Sequence, residues 1–273
     1  MAKGNTSLLK RRLDIAEIVR KQGEVKVDEL SELLNVSGVT IRQDLNYLEQ
    51  QGYLKRSFGG AIYLQPKDSF DKSHQESNNE AKNAYSDISL IMRCLSFIND
   101  GDTLCLLNGK ITRKLIPYLY NKKNLTLIVN DLSFAMLAKD YIQGEIVLIG
   151  GVFNQKYTNF DKNDVQTLLA KYELSTVIFE IEAINTDDEI AISNSQLMEG
   201  YQLLLNNANC RIALLPSRME ENDTFGFASL QQIDVIILSN STMAEYHQQI
   251  TNCSFKQSSV NKDSVIYQNS MKK

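Results

Sequence analysis

The sequence lacks the features that mark a membrane, secreted or metal-binding protein. Met1–Ser7 is short and polar rather than a signal peptide, and no run of about 18 apolar residues occurs. We therefore expect a soluble, cytoplasmic protein with no membrane partner. The four cysteines show no C-x-x-C spacing, and the only two histidines, His74 and His247, lie in polar stretches, so we expect no metal.

Two frequent catalytic motifs are also missing. The chain contains neither the G-x-S-x-G of a nucleophile elbow nor the G-x-x-x-x-G-K-[ST] of a phosphate-binding loop. The sequence therefore favours a protein that is not an enzyme and that carries no cofactor.

Positive charge is concentrated toward the N-terminus. Up to Gln65 there are ten Lys or Arg against eight Asp or Glu, a net charge of +2, and the remainder carries −6 because the whole chain carries −4. This asymmetry places cations where DNA phosphates would be met and leaves an acidic remainder that does not bind DNA unspecifically.

The stretch Val36–Leu45 has the pattern of the turn and recognition helix of a helix-turn-helix. Ser37 is a suitable N-cap, and Ile41, Leu45 and Leu48 recur at i, i+4 and i+7, which predicts one apolar stripe that faces a core. The chain thus has a helix with one buried side and one side available to a partner.

The other side of this helix suits a major groove. It presents Val39, Gln43, Asn46 and Gln50, flanked by Arg42 and Tyr47, with Asp44 near the buried edge. Gln and Asn can bond both polar atoms of an adenine edge, Arg reads guanine or phosphate, and Val can touch a thymine methyl group. The alternative interpretation is the solvated polar face of an ordinary amphipathic helix.

The flanking residues favour DNA binding. Leu8–Gln22 is predicted to be a helix that ends at Gly23, and Asp28 is predicted to cap a short helix whose Leu30, Leu33 and Leu34 point inward. Two strand-like pieces, Tyr53–Arg56 and Ala61–Leu64, are joined by a glycine turn with basic residues at its entrance. Three helices and a basic hairpin predict a winged helix-turn-helix domain over residues 1–65.

The rest of the chain reads as a linker followed by an α/β domain. Residues 66–83 are polar with almost nothing to bury, and Ile88, Ile91, Met92, Leu95 and Ile98 then predict an amphipathic helix in a domain over residues 84–273. Near-continuous apolar strands alternate with helical patterns, which predicts a Rossmann-like parallel sheet covered on both faces. The predicted strands are Thr103–Leu107, Leu125–Val129, Glu145–Ile149, Thr176–Ile181, Arg211–Leu215 and Val235–Leu238.

Ligands of such sheets bind beyond the carboxyl ends of the strands. Those ends carry Asn108-Gly109-Lys110, Asn130-Asp131, Gly150-Gly151, Glu182-Ala183 and Pro216-Ser217-Arg218. The first of these loops opens a helix and could hold an anion through backbone N–H groups and one ammonium. The alternative is a set of plain strand-to-helix turns, in which Asn and Gly are common.

The first domain resembles the DNA-binding domain of the DeoR family of bacterial transcriptional regulators. The resemblance rests on V-x-V-x-E-L, then V-S-x-x-T-I-R-x-D-L-x-x-L-E-x-x-G-x-L-x-R and a closing G-G-A, over about fifty residues without a gap. It implies that Ser37, Thr40 and Arg42 contact the DNA backbone and groove, and that the wing is formed by Arg56, Gly59 and Gly60. Gln43 stands where the family often has a second Arg, and Phe58 where it often has His.

The second domain resembles the family's sugar-phosphate-sensing domain, which is similar in fold to ribose-5-phosphate isomerases. The landmarks are Ile98–Thr103, Leu125–Asn130 and Val147–Gly151. The strand ends and the resemblance together predict an effector site that comprises Asn108, Gly109, Lys110, Thr112, Asn130, Asp131, Gly150, Gly151 and Arg218.

Several positions depart from the family pattern. The family's D-S-G-T-T loop appears as Leu107–Ile111, its G-x-x-G-I stretch appears as Glu180–Ile184, and Tyr201 and Arg218 stand where lysines are usual. Glu180 and Glu182 are expected on one face of a strand, where two carboxylates would oppose a phosphate unless Lys110 and Arg218 compensate.

The sequence therefore predicts a DNA-binding repressor of a sugar transport or catabolism operon. Its partners would be a double-stranded DNA operator, a (phospho)sugar effector and a second copy of the chain in a homo-oligomer. One alternative is a DNA-binding regulator whose second domain only oligomerises. Another is a sugar-phosphate isomerase with an attached helix-turn-helix, which is disfavoured because the candidate loops offer no convincing acid-base set.

Overall fold

The chain divides into two compact units, Met1–Ile88 and Ser89–Lys273. The computed structural model describes residues 11–272 except 13, 17, 20–21, 51–53, 64–86, 108, 151–162, 216–223, 241, 243 and 261–262. The predicted linker at 66–83 lies outside the described residues, as do Asn108, Gly151 and Arg218 of the predicted effector site.

The first unit consists of three helices and a three-stranded antiparallel sheet. Its elements are α1 (within residues 11–22), β1 (Glu24–Lys26), α2 (Val27–Leu34), α3 (Gly38–Gln50), β2 (Lys55–Ser57) and β3 (Gly60–Ile62). The strand order is β1-β3-β2, so the hairpin of β2 and β3 pairs through β3 with the strand that precedes α2. This is the arrangement of a winged helix-turn-helix.

Apolar residues from all three helices and the sheet form the core of the first unit. The predicted stripe of α3, Ile41, Leu45 and Leu48, is buried and packs with Ile15 and Val19 of α1. This confirms the helical phase that the spacing predicted, and it leaves the opposite side of α3 facing outward.

Two details of the second helix differ from the prediction. The helix begins at Val27, so Asp28 lies within its first turn instead of capping it, and the Lys26 N–H donates to the Glu29 carboxylate at 3.2 Å. Leu33 is 64% exposed rather than inward, whereas Leu30 is buried as predicted and Leu34 packs against the core partly buried. Strand β1 was not predicted, since three residues are too few to show a period.

Gly60 joins the wing to β1 by a close backbone approach. A Cβ atom on Gly60 would lie 2.1 Å from the backbone oxygen of Val25, whereas a Cβ on Gly59 would meet nothing within 4 Å. Gly59 is instead required by its φ of +79°, the left-handed conformation of the hairpin turn.

We expect Gly60→Ala to destabilise the first unit by at least about 2 kcal/mol, because the new methyl group must push two paired backbones apart. Gly59→Ala is the matched control, and its cost is about 1 kcal/mol from backbone strain alone. Amide hydrogen exchange of residues 24–62 in the full-length protein measures both changes. If the two variants lose protection equally, the close approach of Gly60 to Val25 is not the cause of the destabilisation.

The second unit is built on one eight-stranded sheet. In spatial order the strands are β13-β14-β12-β10-β7-β4-β5-β6, with β12 to β6 parallel and β13 and β14 antiparallel to their neighbours. Their bounds are β4 (Thr103–Leu106), β5 (Lys123–Val129), β6 (Gln143–Leu148), β7 (Leu174–Glu180), β10 (Ala208–Leu215), β12 (Val235–Ser239), β13 (Phe255–Val260) and β14 (Ser264–Asn269).

Helices cover both faces of this sheet. They are α4 (residues 87–94), α5 (Lys110–Leu115), α6 (Leu132–Ala138), α7 (Asn163–Leu169), α8 (Met198–Asn207) and α9 (Ala244–Asn252). Along β7, Ile178 packs into the core on the side of α4, α5 and α6, and Val177 and Phe179 pack on the side of α7, α8 and α9. The predicted α/β class with a parallel sheet is thereby confirmed.

Three features of the second unit were not predicted. The antiparallel strands β13 and β14 extend the parallel sheet, and a separate sheet of order β11-β9-β8 is formed by β8 (Ala183–Ile184), β9 (Glu189–Ile192) and β11 (Phe225–Ser229). Strand β13 exposes most of its residues at the sheet edge, so it has no continuous apolar run. Helix α4 gives way to a 3-10 turn at Leu95–Phe97, and Met92 is exposed rather than inward.

None of the described helices combines the length and apolar composition needed to span a bilayer.

Candidate nucleic-acid interface and effector site

The start of α3 is fixed by its N-cap. The Ser37 hydroxyl accepts a hydrogen bond from the Thr40 N–H at 3.2 Å and shares another with the Thr40 hydroxyl at 2.9 Å. The Ile41 N–H donates to the Ser37 carbonyl at 3.0 Å, which begins the helical ladder. Ser37 and Thr40 therefore lie together at the end of the helix where backbone N–H groups favour a DNA phosphate.

The outward side of α3 presents the predicted reading residues. Val39 is 63% exposed, and Arg42, Gln43 and Asn46 are exposed as well. The side chain of Gln50 lies outside the described residues. This face combines one apolar, one cationic and two amide side chains on a helix whose other side is anchored in a core.

Asp44 ties the recognition helix to α1. Its carboxylate is fully buried and accepts hydrogen bonds from Nε of Arg11 at 2.5 Å and Nε of Arg12 at 2.9 Å. The Arg12 guanidinium also lies 3.7 Å from the centre of the Tyr47 ring. The sequence pattern placed Asp44 near the buried edge but gave no signal for either arginine, because they are more than thirty positions away.

The wing is fastened to the recognition helix by side chains. The Arg56 guanidinium donates to the Asn46 side-chain oxygen, and the Arg56 N–H donates to the Glu49 carboxylate at 2.7 Å. Two residues that were predicted to contact DNA separately, Asn46 and Arg56, are therefore bonded to each other. Phe58 lies fully exposed in the turn between the two strands of the wing.

In the second unit the chain order reverses between β4 and β7. From β4 the sheet grows through β5 and β6 on one side and through β7, β10 and β12 on the other. In open α/β sheets a crevice forms at such a switch point, beyond the carboxyl ends of the two central strands. We call this place the switch-point crevice. Gly109, Lys110 and Thr112 follow β4 there, and Glu180 is the last residue of β7.

The carboxylate of Glu180 binds the loop after β4. Its Oε1 accepts hydrogen bonds from the backbone N–H of Ile111, the Thr112 N–H at 2.8 Å and the Thr112 hydroxyl at 3.3 Å. A Cβ atom on Gly109 would lie 2.3 Å from that oxygen, so the missing side chain of Gly109 makes room for the carboxylate. The N–H groups that the sequence assigned to an anionic ligand are thus bonded to the protein's own anion.

Asn130 and Asp131 follow β5 at the same edge of the sheet. The Asp131 carboxylate caps α6 by accepting from the Ser133 N–H at 2.7 Å, and the Asn130 amide donates to the Tyr201 hydroxyl at 3.3 Å. Tyr201 is buried against Phe227, and burial raises the pKa of its phenol far above the usual range. A small recess beside this pair is lined by Asn130, Ile149, Val165, Gln196, Gly200 and Tyr201.

The expected pairing of Glu180 and Glu182 on one strand face is wrong. Strand β7 ends at Glu180, and Glu182 lies beyond it, where its carboxylate accepts from the Ser193 N–H at 2.7 Å. The two carboxylates are therefore directed to different backbone segments. Gly150 follows β6 and is exposed.

Comparisons with known proteins match both units. A family model described as the DeoR-like helix-turn-helix domain matches residues 11–67, and one described as the DeoR C terminal sensor domain matches residues 89–240. The lactose phosphotransferase system repressor of Staphylococcus aureus is 31% identical over 235 residues, which cover 83% of this chain and 90% of that protein.

Two further similarities are more distant. A putative aga operon transcriptional repressor of Escherichia coli O157:H7 is 26% identical, with 88% of this chain and 89% of that protein covered. Among solved structures, ribose 5-phosphate isomerase A of Methanocaldococcus jannaschii is 10% identical, with 69% of this chain and 81% of that chain covered and a TM-score of 0.37. That likeness is too low to support a statement about function.

Proposed function

Because the chain belongs to the DeoR family of transcriptional regulators, we propose that it represses an operon for carbohydrate uptake or catabolism. Residues 1–65 bind a double-stranded DNA operator, and residues 84–273 bind a small sugar-type effector and pair two copies of the chain. The relatives are named as repressors, one of them of a lactose phosphotransferase system, which supports both the sign of regulation and the class of effector.

The outward face of α3 is the observation that carries the DNA-binding part. Val39, Arg42 and Gln43 project from a helix whose inner side is fixed by an apolar stripe and by Asp44. A rigid helix with exposed amide and guanidinium groups can read base edges in a major groove. In this proposal Ser37 and Thr40 at its start, and Arg56 with Gly59 and Gly60 in the wing, contact the DNA backbone.

We expect Gln43→Ala to change the operator sequence that the protein prefers. An amide that bonds a base edge contributes about 1–3 kcal/mol of discrimination, so the loss falls on the cognate site and spares unrelated duplexes. Selection of full-length protein on a randomised duplex library identifies the preferred sequence of wild type and variant. Gln248→Ala is the matched control, since Gln248 is an exposed helical glutamine of the second unit. An unchanged preferred sequence in the Gln43 variant rules out this role for Gln43.

The proposed effector site lies at the carboxyl edge of the large sheet. Gly109, Lys110 and Thr112 lie at the start of α5 after β4, and Asn130 and Asp131 follow β5, at the edge where open α/β sheets bind ligands. An effector that binds the operator-free form more tightly than the operator-bound form releases the protein from DNA. The test is whether free or phosphorylated sugars displace the full-length protein from its selected operator.

We propose that the protein acts as a homo-oligomer, at least a dimer. A single winged helix reads only a few base pairs, and specific binding usually needs two half-sites that match a two-fold protein. Light scattering at micromolar concentration checks the mass of the full-length chain. A monomer that still binds its operator tightly contradicts the proposal.

A further inference from the structure

We propose that Glu180 determines effector specificity by acting as a built-in anion that excludes phosphate from the switch-point crevice, so that the effector is an unphosphorylated, hydroxyl-rich compound. This inference rests on the proposed function in one respect, namely that the second unit senses a small carbohydrate. The exclusion of phosphate itself rests only on the geometry at the ends of β4 and β7.

The backbone donors at the start of α5 are already occupied by Glu180. Ile111 and Thr112 lie in the first turn of α5, where backbone N–H groups have no partner within the helix and bind anions readily. The Glu180 carboxylate accepts from both N–H groups and also from the Thr112 hydroxyl. A phosphate would have to displace this carboxylate to reach the same donors.

The residues around Glu180 leave a space that fits its carboxylate. Gly109 approaches Glu180 so closely that a Cβ would lie 2.6 Å from the carboxylate carbon and 2.8 Å from the Thr112 hydroxyl oxygen. Thr112 itself is buried, so its hydroxyl is held in place for the bond. Gly109 and Thr112 at the start of α5 and Glu180 at the end of β7 thus form one internal anion site, which a mobile surface glutamate would not require.

Among the described residues at these strand ends, carboxylates outnumber ammonium groups. The described residues that follow β4, β5 and β7, namely 109–112, 130–131 and 180–182, include three carboxylates, Asp131, Glu180 and Glu182, and one ammonium, Lys110. Like charges a few ångströms apart repel most strongly where water is partly excluded. Neutral hydroxyl groups, in contrast, donate well to carboxylates. This balance favours a ligand that carries hydroxyls and no phosphate.

Inorganic phosphate is the simplest probe of this idea. We expect sodium phosphate, relative to sodium chloride of equal ionic strength, to raise the melting temperature of full-length wild type only by the general stabilising effect of an excluded anion, and by the same amount as in Glu182→Ala. Glu180→Ala frees the donors of Ile111 and Thr112 and removes the repelling charge, so the variant should bind phosphate at least about tenfold more tightly than wild type. Glu180→Ala should raise the affinity for hexose phosphates by the same factor, relative to the affinity for the corresponding free sugars.

Glu182→Ala is the matched control. It removes the same charge two positions away, where the carboxylate bonds the Ser193 N–H and not the loop after β4, so it should gain no phosphate affinity. Glu180→Gln keeps a side chain of similar shape with one accepting oxygen but no charge. If the alanine variant unfolds, this variant tests whether the negative charge of Glu180 excludes phosphate. Wild-type protection of the strands β4 and β7 in amide hydrogen exchange shows that the second unit of each variant is folded.

Two results would overturn the inference. One is stabilisation of wild type by phosphate or a hexose phosphate to the same degree as Glu180→Ala, and the other is a folded Glu180→Ala that gains no affinity. Neither result bears on the proposal that the protein is a DNA-binding repressor. Failure of that proposal would be seen separately, as a loss of operator selectivity. A third result is that Glu180→Ala gains affinity for phosphate while no free sugar releases wild type from the operator. That result supports the exclusion of phosphate by Glu180. It contradicts effector sensing in the proposed function and favours a second unit that only oligomerises.

Discussion

Replacing Asp44 by alanine is expected to abolish operator binding at 37 °C by unfolding the first unit. The Asp44 carboxylate is fully buried and accepts from both Arg11 and Arg12, whose side chains are only 13% and 18% exposed. Removing one member of a buried ionic cluster typically costs about 3–5 kcal/mol, because the remaining charges stay desolvated without a partner. A domain of this size has little stability to spare, so the loss leaves most molecules without a formed recognition helix.

The measurement is amide hydrogen exchange of α3 in the full-length protein, together with operator affinity. Asp28→Ala is the matched control, since Asp28 is an exposed acid on α2 of the same unit. Its cost should stay below about 1 kcal/mol. Asp44→Asn should fall between the two, because its amide oxygen accepts from one arginine without balancing the charge. Wild-type protection of α3 in the alanine variant would show that the arginines find other partners, and the cluster would then not be what holds α1 to α3.

The recognition helix and the parallel strands could be predicted because their signals are local. Ser37, Ile41, Leu45 and Leu48 lie within four turns of one helix, so their spacing alone fixes which side is buried. The central parallel strands β4, β7 and β12 are short apolar runs, which is what burial on both faces requires. Strand β13 gives no such signal, because its polar residues at the sheet edge face outward.

The contacts that define the sites could not be predicted, because they join distant parts of the chain. Asp44 meets arginines of α1, and Glu180 bonds backbone groups of Ile111 and Thr112 almost seventy positions earlier. A departure from the family pattern at Glu180 was visible in the sequence, but its meaning depended on where the side chain points. The sequence suggested a carboxylate that faces the ligand, whereas the structure places it on the donors that a ligand would use.

The largest effect on DNA affinity is expected from the spacing of the operator half-sites. If two copies of the chain are paired as proposed, their recognition helices meet the same side of the duplex when half-site centres are separated by about 10 base pairs or a multiple. Inserting about 5 base pairs turns one half-site to the opposite side of the duplex, so that only one winged helix can bind. Simultaneous binding of two linked modules usually gains about 10²–10⁴-fold over one module, and this gain should be lost.

Competition binding with three duplexes of equal length tests this expectation in the full-length protein. The first carries the selected operator, the second an insertion of half a turn between the half-sites, and the third an insertion of a full turn. We expect the second duplex to bind no better than a single half-site, and the third to recover most of the affinity because the phase is restored. A half-turn insertion outside both half-sites controls for altered sequence context and should change nothing. Equal binding of all duplexes would mean that each winged helix acts alone, and the pairing of the second units would then serve a purpose other than operator recognition.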